Sequence, residues 1–98
     1  MDEKGNEVQG LSREEMDELK TGFFREFVPS LRKARRSMGR DRNVFAVLGH
    51  QIKGTAPLFG YKRLSDEAFG LETSAKTEEW PVIRTAFRRV VSSLRNNR

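Results

Sequence analysis

The 98-residue sequence contains no cysteine and only one histidine, His50. Without cysteine the chain has no disulfide framework, and with a single histidine it lacks the ligand clusters of zinc sites. A serine or cysteine hydrolase is also disfavoured, because no Gly-x-Ser-x-Gly turn accompanies the one imidazole. The absence of cysteine fits a reducing compartment, so we expect a cytoplasmic protein.

Long apolar runs are missing as well. No run approaches the roughly 20 apolar residues of a membrane span, and the N-terminus lacks the apolar segment of a signal peptide. We therefore expect no association with membranes.

Residues 1–10 are polar and aperiodic and are predicted to be flexible. With 36% hydrophobic residues, residues 11–98 are predicted to form one domain around a single core.

Apolar residues recur at intervals of three and four, which is typical of amphipathic helices rather than strands. The first helix is predicted to begin after Ser12, which has the capping-box spacing to Glu15, with Leu11 and Met16 as a hydrophobic staple. Pro29 either kinks this helix or divides it in two. The apolar stripe of the helix comprises Met16, Leu19, Phe23, Phe27, Leu31, Ala34 and Met38.

The second predicted helix carries the histidine. The first helix is predicted to end at Gly39. The second helix is predicted to be capped by Asp41 or Asn43 and to end at Gly60. At 100° per residue, His50 points about 180 to 200° away from the centre of the apolar arc, so we expect it to face solvent. The arc consists of Val44, Leu48, Ile52, Thr55 and Phe59.

Two more helices complete the predicted fold. Glu72 lies at the edge of the third apolar arc, and Thr77 is expected to cap the fourth helix, with Pro81 tolerated in its first turn. We predict an all-α fold, an antiparallel up-down four-helix bundle with an N-terminal helical extension or a kinked first helix. The third and fourth arcs comprise Tyr61, Leu64, Ala68, Leu71 and Ala75, and Trp80, Ile83, Phe87, Val90 and Leu94.

The net charge of +5 is unevenly distributed along the chain. Residues 25–42 hold seven basic and two acidic side chains, and residues 81–98 hold five arginines and no acid. Such a surface attracts either nucleic acid or an acidic protein. A basic helical module that binds nucleic acid is therefore an alternative function, although no recognised nucleic-acid-binding motif supports it.

The run His50-x-x-Lys53-Gly54-x5-Gly60-x3-Leu64-x6-Leu71-Glu72 extends over about 23 residues. It resembles the signature of the histidine-containing phosphotransfer (HPt) domains of two-component phosphorelays, and the four-helix pattern extends the resemblance to most of the chain. The sequence departs from the family pattern at two positions. Gly49 stands where the family more often has alanine, and Pro57 is an uncommon residue inside this helix.

The resemblance implies that His50 accepts a phosphoryl group from the aspartyl phosphate of a response-regulator receiver domain and passes it to another receiver. It also implies that Lys53, Gly54 and Gln51 support the phosphate and the approach of the receiver. In related chemotaxis-kinase domains, the residue matching Glu72 bonds the second ring nitrogen of the histidine. No cofactor or metal is expected on this chain, because in the family the receiver brings Mg²⁺ and the acceptor aspartate.

Receiver active sites are acidic, so Lys62 and Arg63 are expected to steer the encounter electrostatically. Val47 and Leu58 form a candidate docking patch, unless they belong to the core. We expect a monomeric carrier without catalytic activity of its own. The alternatives are the phosphotransfer domain of a hybrid or chemotaxis-type histidine kinase, phosphorylated by a separate ATP-binding domain, and a docking protein whose histidine is unused.

Overall fold

A computed structural model describes residues 12–96, so the predicted flexible segment 1–10 and Leu11 of the predicted staple lie outside the described residues. The described chain is an all-α four-helix bundle without strands, which confirms the predicted fold class. Among residues 12–96, no helix combines the length and apolar character that a membrane span requires. The helices are α1 (Arg13–Ser37), α2 (Arg42–Thr55), α3 (Lys62–Thr77) and α4 (Trp80–Asn96), with a short 3-10 helix (Ala56–Phe59) between α2 and α3.

The start of α1 follows the sequence closely. The Ser12 hydroxyl accepts the Glu15 backbone N–H at 3.1 Å, and the Glu15 carboxylate accepts the Ser12 backbone N–H at 3.0 Å, which confirms the capping box. Pro29 lies inside an unbroken helix, so α1 is not divided. Leu19, which was predicted to lie in the apolar stripe, is 44% exposed, because the packed face of α1 begins only at Phe23.

Pro57 determines how α2 ends. Asp41 caps the helix by accepting the Asn43 backbone N–H, and α2 stops at Thr55 instead of continuing to Gly60. Proline has no N–H to donate to the carbonyl four residues earlier, so the chain tightens into the 3-10 helix. The Lys53 carbonyl, which loses this donor, accepts the Ser65 hydroxyl of α3 at 3.3 Å instead.

The predicted boundary between the third and fourth helices is wrong. Thr77 is the last residue of α3 rather than the cap of α4, and its hydroxyl donates back to the Thr73 carbonyl at 3.4 Å. The backbone carbonyl of Glu79, directly before α4, accepts the N–H groups of Val82 and Ile83 in the first turn of the helix. A threonine hydroxyl can donate a hydrogen bond to a preceding carbonyl or accept one from a following amide. The Thr77 hydroxyl does the first, so it does not cap α4.

The core includes Phe45, which the predicted arc of α2 omitted. Its ring is fully buried and makes edge-to-face contacts with Trp80 and Phe87 of α4, with centroids 5.7 and 5.4 Å apart. Around the axis of α2, at 100° per residue, the centre of the observed buried face therefore lies roughly 55° from the centre of the predicted apolar arc. His50 lies roughly 145° from the observed centre. The buried residues of this segment are Phe45, Leu48, Gly49, Ile52 and Ala56.

Helices α2 and α3 run antiparallel and approach each other closely at Gly49. A Cβ atom on Gly49 would lie 2.7 Å from both the Ala68 carbonyl oxygen and the Glu72 backbone nitrogen. These neighbours are backbone atoms of α3, so a side chain here would force the helices apart. A side chain as small as that of alanine therefore does not fit at Gly49 unless α3 shifts.

Two glycines of α2 provide a matched test of this contact. Gly49→Ala should destabilise the protein by roughly 1 to 3 kcal/mol, because overpacking requires α3 to shift. Gly54→Ala should instead stabilise it by up to about 1 kcal/mol, because alanine is the better helix former and no atom lies within 4 Å of the added Cβ. Urea unfolding of both variants measures the two effects, and equal shifts of the same sign would contradict the close approach at Gly49.

Candidate functional site

His50 lies on the exposed side of the contact between α2 and α3. Its side chain is 69% exposed, whereas its neighbour Gly49 is buried against α3. The Nδ1 atom of His50 lies 3.1 Å from the Oε2 atom of Glu72, which is on α3. The expected exposure of His50 is confirmed, and the ring is also held from one side by a carboxylate.

Glu72 is the centre of a charged cluster. Its side chain is only 11% exposed, yet besides His50 it contacts Lys53 (Nζ to Oε1, 2.9 Å) and Lys76 (Nζ to Oε2, 3.6 Å). The ammonium group of Lys53 lowers the pKa of Glu72 against the opposing effect of burial, and the His50 hydrogen bond lowers it further. Glu72 is therefore ionised at neutral pH. We call His50, Lys53, Glu72 and Lys76 the Glu72 cluster.

The Glu72 carboxylate determines which nitrogen of His50 carries the proton. An ionised carboxylate can only accept hydrogen bonds, so its contact with Nδ1 requires the hydrogen to be on Nδ1. In the neutral ring the lone pair is then on Nε2. The imidazole is thus oriented for chemistry at Nε2.

Lys53 is positioned by two neighbours from α3. Besides its contact with Glu72, its Nζ lies 5.2 Å from the centroid of the Phe69 ring, within the range of a cation–π interaction. Phe69 is 56% exposed, so it is a surface aromatic rather than a core residue. Neither Phe69 nor Lys76 was among the predicted site residues. The spacing of four residues between Glu72 and Lys76, which suits a helical ion pair, was the available signal.

The surface around His50 is open beside Gly54. This glycine is exposed, and a Cβ atom there would meet no other atom of the chain within 4 Å. Gln51 is also exposed, and its backbone carbonyl accepts the Thr55 hydroxyl at 2.9 Å. The surface directly over Gly54 therefore has room for added atoms.

The candidate docking residues all lie on the surface. Val47 and Leu58 are 46% and 62% exposed, so they do not belong to the core. Lys62 and Arg63 are exposed at the start of α3, where Lys62 pairs weakly with Asp66 at 3.8 Å. Their role in docking stays a prediction.

No group of three or more histidine, aspartate or glutamate side chains in residues 12–96 is arranged to hold a metal ion. The carboxylate that contacts His50, that of Glu72, also contacts two lysines. These positive charges disfavour a cation at this position. The arrangement is suited to binding an anion beside an exposed imidazole.

The lowered pKa of Glu72 predicts a pH-dependent contribution to stability. Because its pKa is lower in the folded chain than the ordinary value near 4.5, ionised Glu72 contributes stability above that value and loses it as the pH falls through the folded pKa. Glu72→Gln should therefore be less stable than wild type near neutral pH, and the difference should shrink in acid, as measured by urea unfolding across a pH series. Glu78→Gln, at an exposed carboxylate, is the control, and a pH-independent difference for Glu72→Gln would contradict the prediction.

Comparisons with known proteins find no matching family model, no matching curated protein and no matching solved structure. The chemistry of the site is therefore inferred from its own residues. These are an exposed imidazole, an ionised carboxylate that fixes its tautomer and a lysine one helical turn away.

Proposed function

We propose that this protein is a histidine phosphocarrier of a two-component phosphorelay. In this role His50 accepts a phosphoryl group from the aspartyl phosphate of a receiver domain and transfers it to another receiver. The observation that supports the proposal is the contact between the exposed His50 ring and the nearly buried Glu72 carboxylate, at 3.1 Å. A solvated surface histidine has no need of such a partner, whereas a nucleophile benefits from a fixed tautomer.

The transfer step follows from this tautomer. The Nε2 lone pair of His50 attacks phosphorus, so that a nitrogen–phosphorus bond forms while the bond from phosphorus to the aspartyl oxygen breaks. The aspartate leaves as a carboxylate with the bonding electron pair. The proton on Nδ1 stays in place, and the positive charge that develops on the ring is stabilised by Glu72. Onward transfer to the next aspartate reverses these steps.

Lys53 supplies positive charge next to the phosphoryl group. Phosphoryl transfer depends mainly on positioning and charge stabilisation. Lys53 lies one helical turn from His50 and forms an ion pair with Glu72 Oε1. An ammonium group has three N–H donors, so it can also donate to phosphoryl oxygens. Mg²⁺ is expected on the partner receiver, where it would neutralise further phosphoryl charge.

The same contact between Glu72 and His50 favours a second candidate. The corresponding hydrogen bond occurs in the phosphotransfer domains that chemotaxis-type kinases carry, so the chain is alternatively such a domain of a hybrid or chemotaxis-type kinase. The phosphoryl donor would then be ATP bound to a separate catalytic domain. The two candidates share the chemistry of His50 and differ in the donor.

Phosphorylation assays test both candidates. The protein is incubated with a panel of phosphorylated receiver domains and, separately, with kinase ATP-binding domains and labelled ATP. We expect acid-labile, base-stable phosphate on Nε2, lost completely in His50→Gln. Labelling from receivers supports the carrier, and labelling only from kinase domains supports the second candidate. Wild-type protein that stays unlabelled with every donor contradicts both.

The open surface at Gly54 predicts a steric effect on transfer. Gly54→Leu places a bulky side chain where the receiver approaches, so transfer should slow by at least about tenfold, or about 1.4 kcal/mol in activation free energy. Gly22→Leu on α1 is the matched control, because its Cβ also meets nothing within 4 Å. Transfer kinetics and urea unfolding are measured for both. Equal transfer rates for the two folded variants would contradict a partner approach over Gly54.

A further inference from the structure

A long groove separates α1 from α4, away from the phosphotransfer site. Its main part has a volume of about 730 Å³ and extends along α1 from Asp17 to Arg35. It continues into a smaller cavity of about 440 Å³ that reaches Met38 and Arg84. Every lining residue belongs to α1, to α4 or to Met38 directly after α1, and none belongs to the helices that carry His50 and Glu72.

The floor of this groove is apolar. Phe24, Val28 and Leu31 line it from α1, and Val91 and Leu94 line it from α4. Val28 is 39% exposed, so part of the floor is open to water. Covering such a surface with apolar side chains removes it from water, which is favourable.

The rim of the groove is strongly basic. Among the lining residues Asp17 is the one carboxylate. No carboxylate of residues 12–96 lies within salt-bridge distance of the rim arginines, so none of them forms an ion pair with a described carboxylate. The rim arginines are Arg25, Arg32, Arg35, Arg84, Arg88 and Arg95.

We propose that the groove between α1 and α4 docks an acidic amphipathic helix of a partner protein. An α-helix placed along two others presents an apolar stripe to the floor and its flanking side chains to the rim. Carboxylates on those flanks match the arginines, which bind carboxylates in bidentate fashion. The stretch from Asp17 to Arg35 is about 27 Å long at the helical rise, which accommodates about five turns of a docked helix.

The apolar floor favours this occupant over nucleic acid. A phosphate backbone would pair with the arginines, but it would leave Val28, Leu31 and Val91 without an apolar partner. Two-fold pairing of the groove with a second copy of the chain is also disfavoured, because an isologous contact would oppose the arginines of one copy to those of the other. Because the groove shares no residue with the Glu72 cluster, a docked helix leaves His50 accessible.

The proposal is tested with a labelled synthetic peptide of about 18 residues, the length that spans the groove as a helix. Leucines occupy one face of the peptide and glutamates the flanks. A scrambled peptide of the same composition controls for charge, and a single-stranded oligonucleotide is measured in parallel. Fluorescence anisotropy at physiological salt gives the affinities, and amide chemical shifts locate the bound peptide. We expect saturable binding of the amphipathic peptide, with shifts confined to α1 and α4.

Matched variants separate the groove from general surface charge. Arg32→Glu with Arg35→Glu should weaken binding by at least about tenfold, whereas Lys62→Glu with Arg63→Glu on α3 should change it much less. Val28→Glu should also weaken binding, and Val82→Glu, at another exposed valine, should not. The His50→Gln variant should bind the peptide with the affinity of the wild type. The result of the peptide test therefore does not depend on phosphotransfer at His50.

Four results would overturn the proposal. They are equal affinity for the scrambled peptide, equal loss in the two charge-reversal variants, tighter binding of the oligonucleotide at the same arginines, and a concentration-dependent dimer in sedimentation that Val28→Glu abolishes. The first two indicate unspecific charge attraction. The third indicates a nucleic-acid site, and the fourth indicates a second copy of this chain in the groove.

Discussion

The close approach of α2 and α3 at Gly49 is the constraint on which the candidate site depends. A side-chain carbon at this position would lie 2.7 Å from backbone atoms of α3, including the Glu72 nitrogen. Because the two backbones meet here, the next residue of α2 lies within hydrogen-bond distance of Glu72. One contact between helices therefore brings the imidazole, the carboxylate and Lys53 together.

A nearly buried carboxylate is costly unless it is paired, and Glu72 is paired three times. His50 and Lys53 lie within one turn of α2, and Lys76 lies one turn after Glu72 on α3. The cluster therefore links the two helices electrostatically. Lys53 and His50 lower the pKa of Glu72, so its carboxylate stays ionised and accepts the hydrogen bond from His50 Nδ1. Such support from packed helices orients an exposed imidazole more rigidly than a loop would.

The two sides of the bundle differ in character. The contact between α2 and α3 is tight, with backbone against backbone at Gly49 and a hydrogen bond from Ser65 to the Lys53 carbonyl. The side between α1 and α4 is open, with an apolar floor under arginines. This difference follows from the residues at each seam, because a glycine permits close packing, whereas long charged side chains along a seam stay in water and keep it open.

The sequence alone determined the number of helices, the capping box at Ser12 and the exposure of His50, because capping and helical periodicity depend on residues within a few positions of each other. Local patterns were insufficient at Thr77, whose hydroxyl had two possible partners. Only the tertiary structure decided that Phe45 is buried in the core and that Glu72 reaches His50. Both facts depend on the distance and rotation between helices, which are set by packing among residues far apart in the chain.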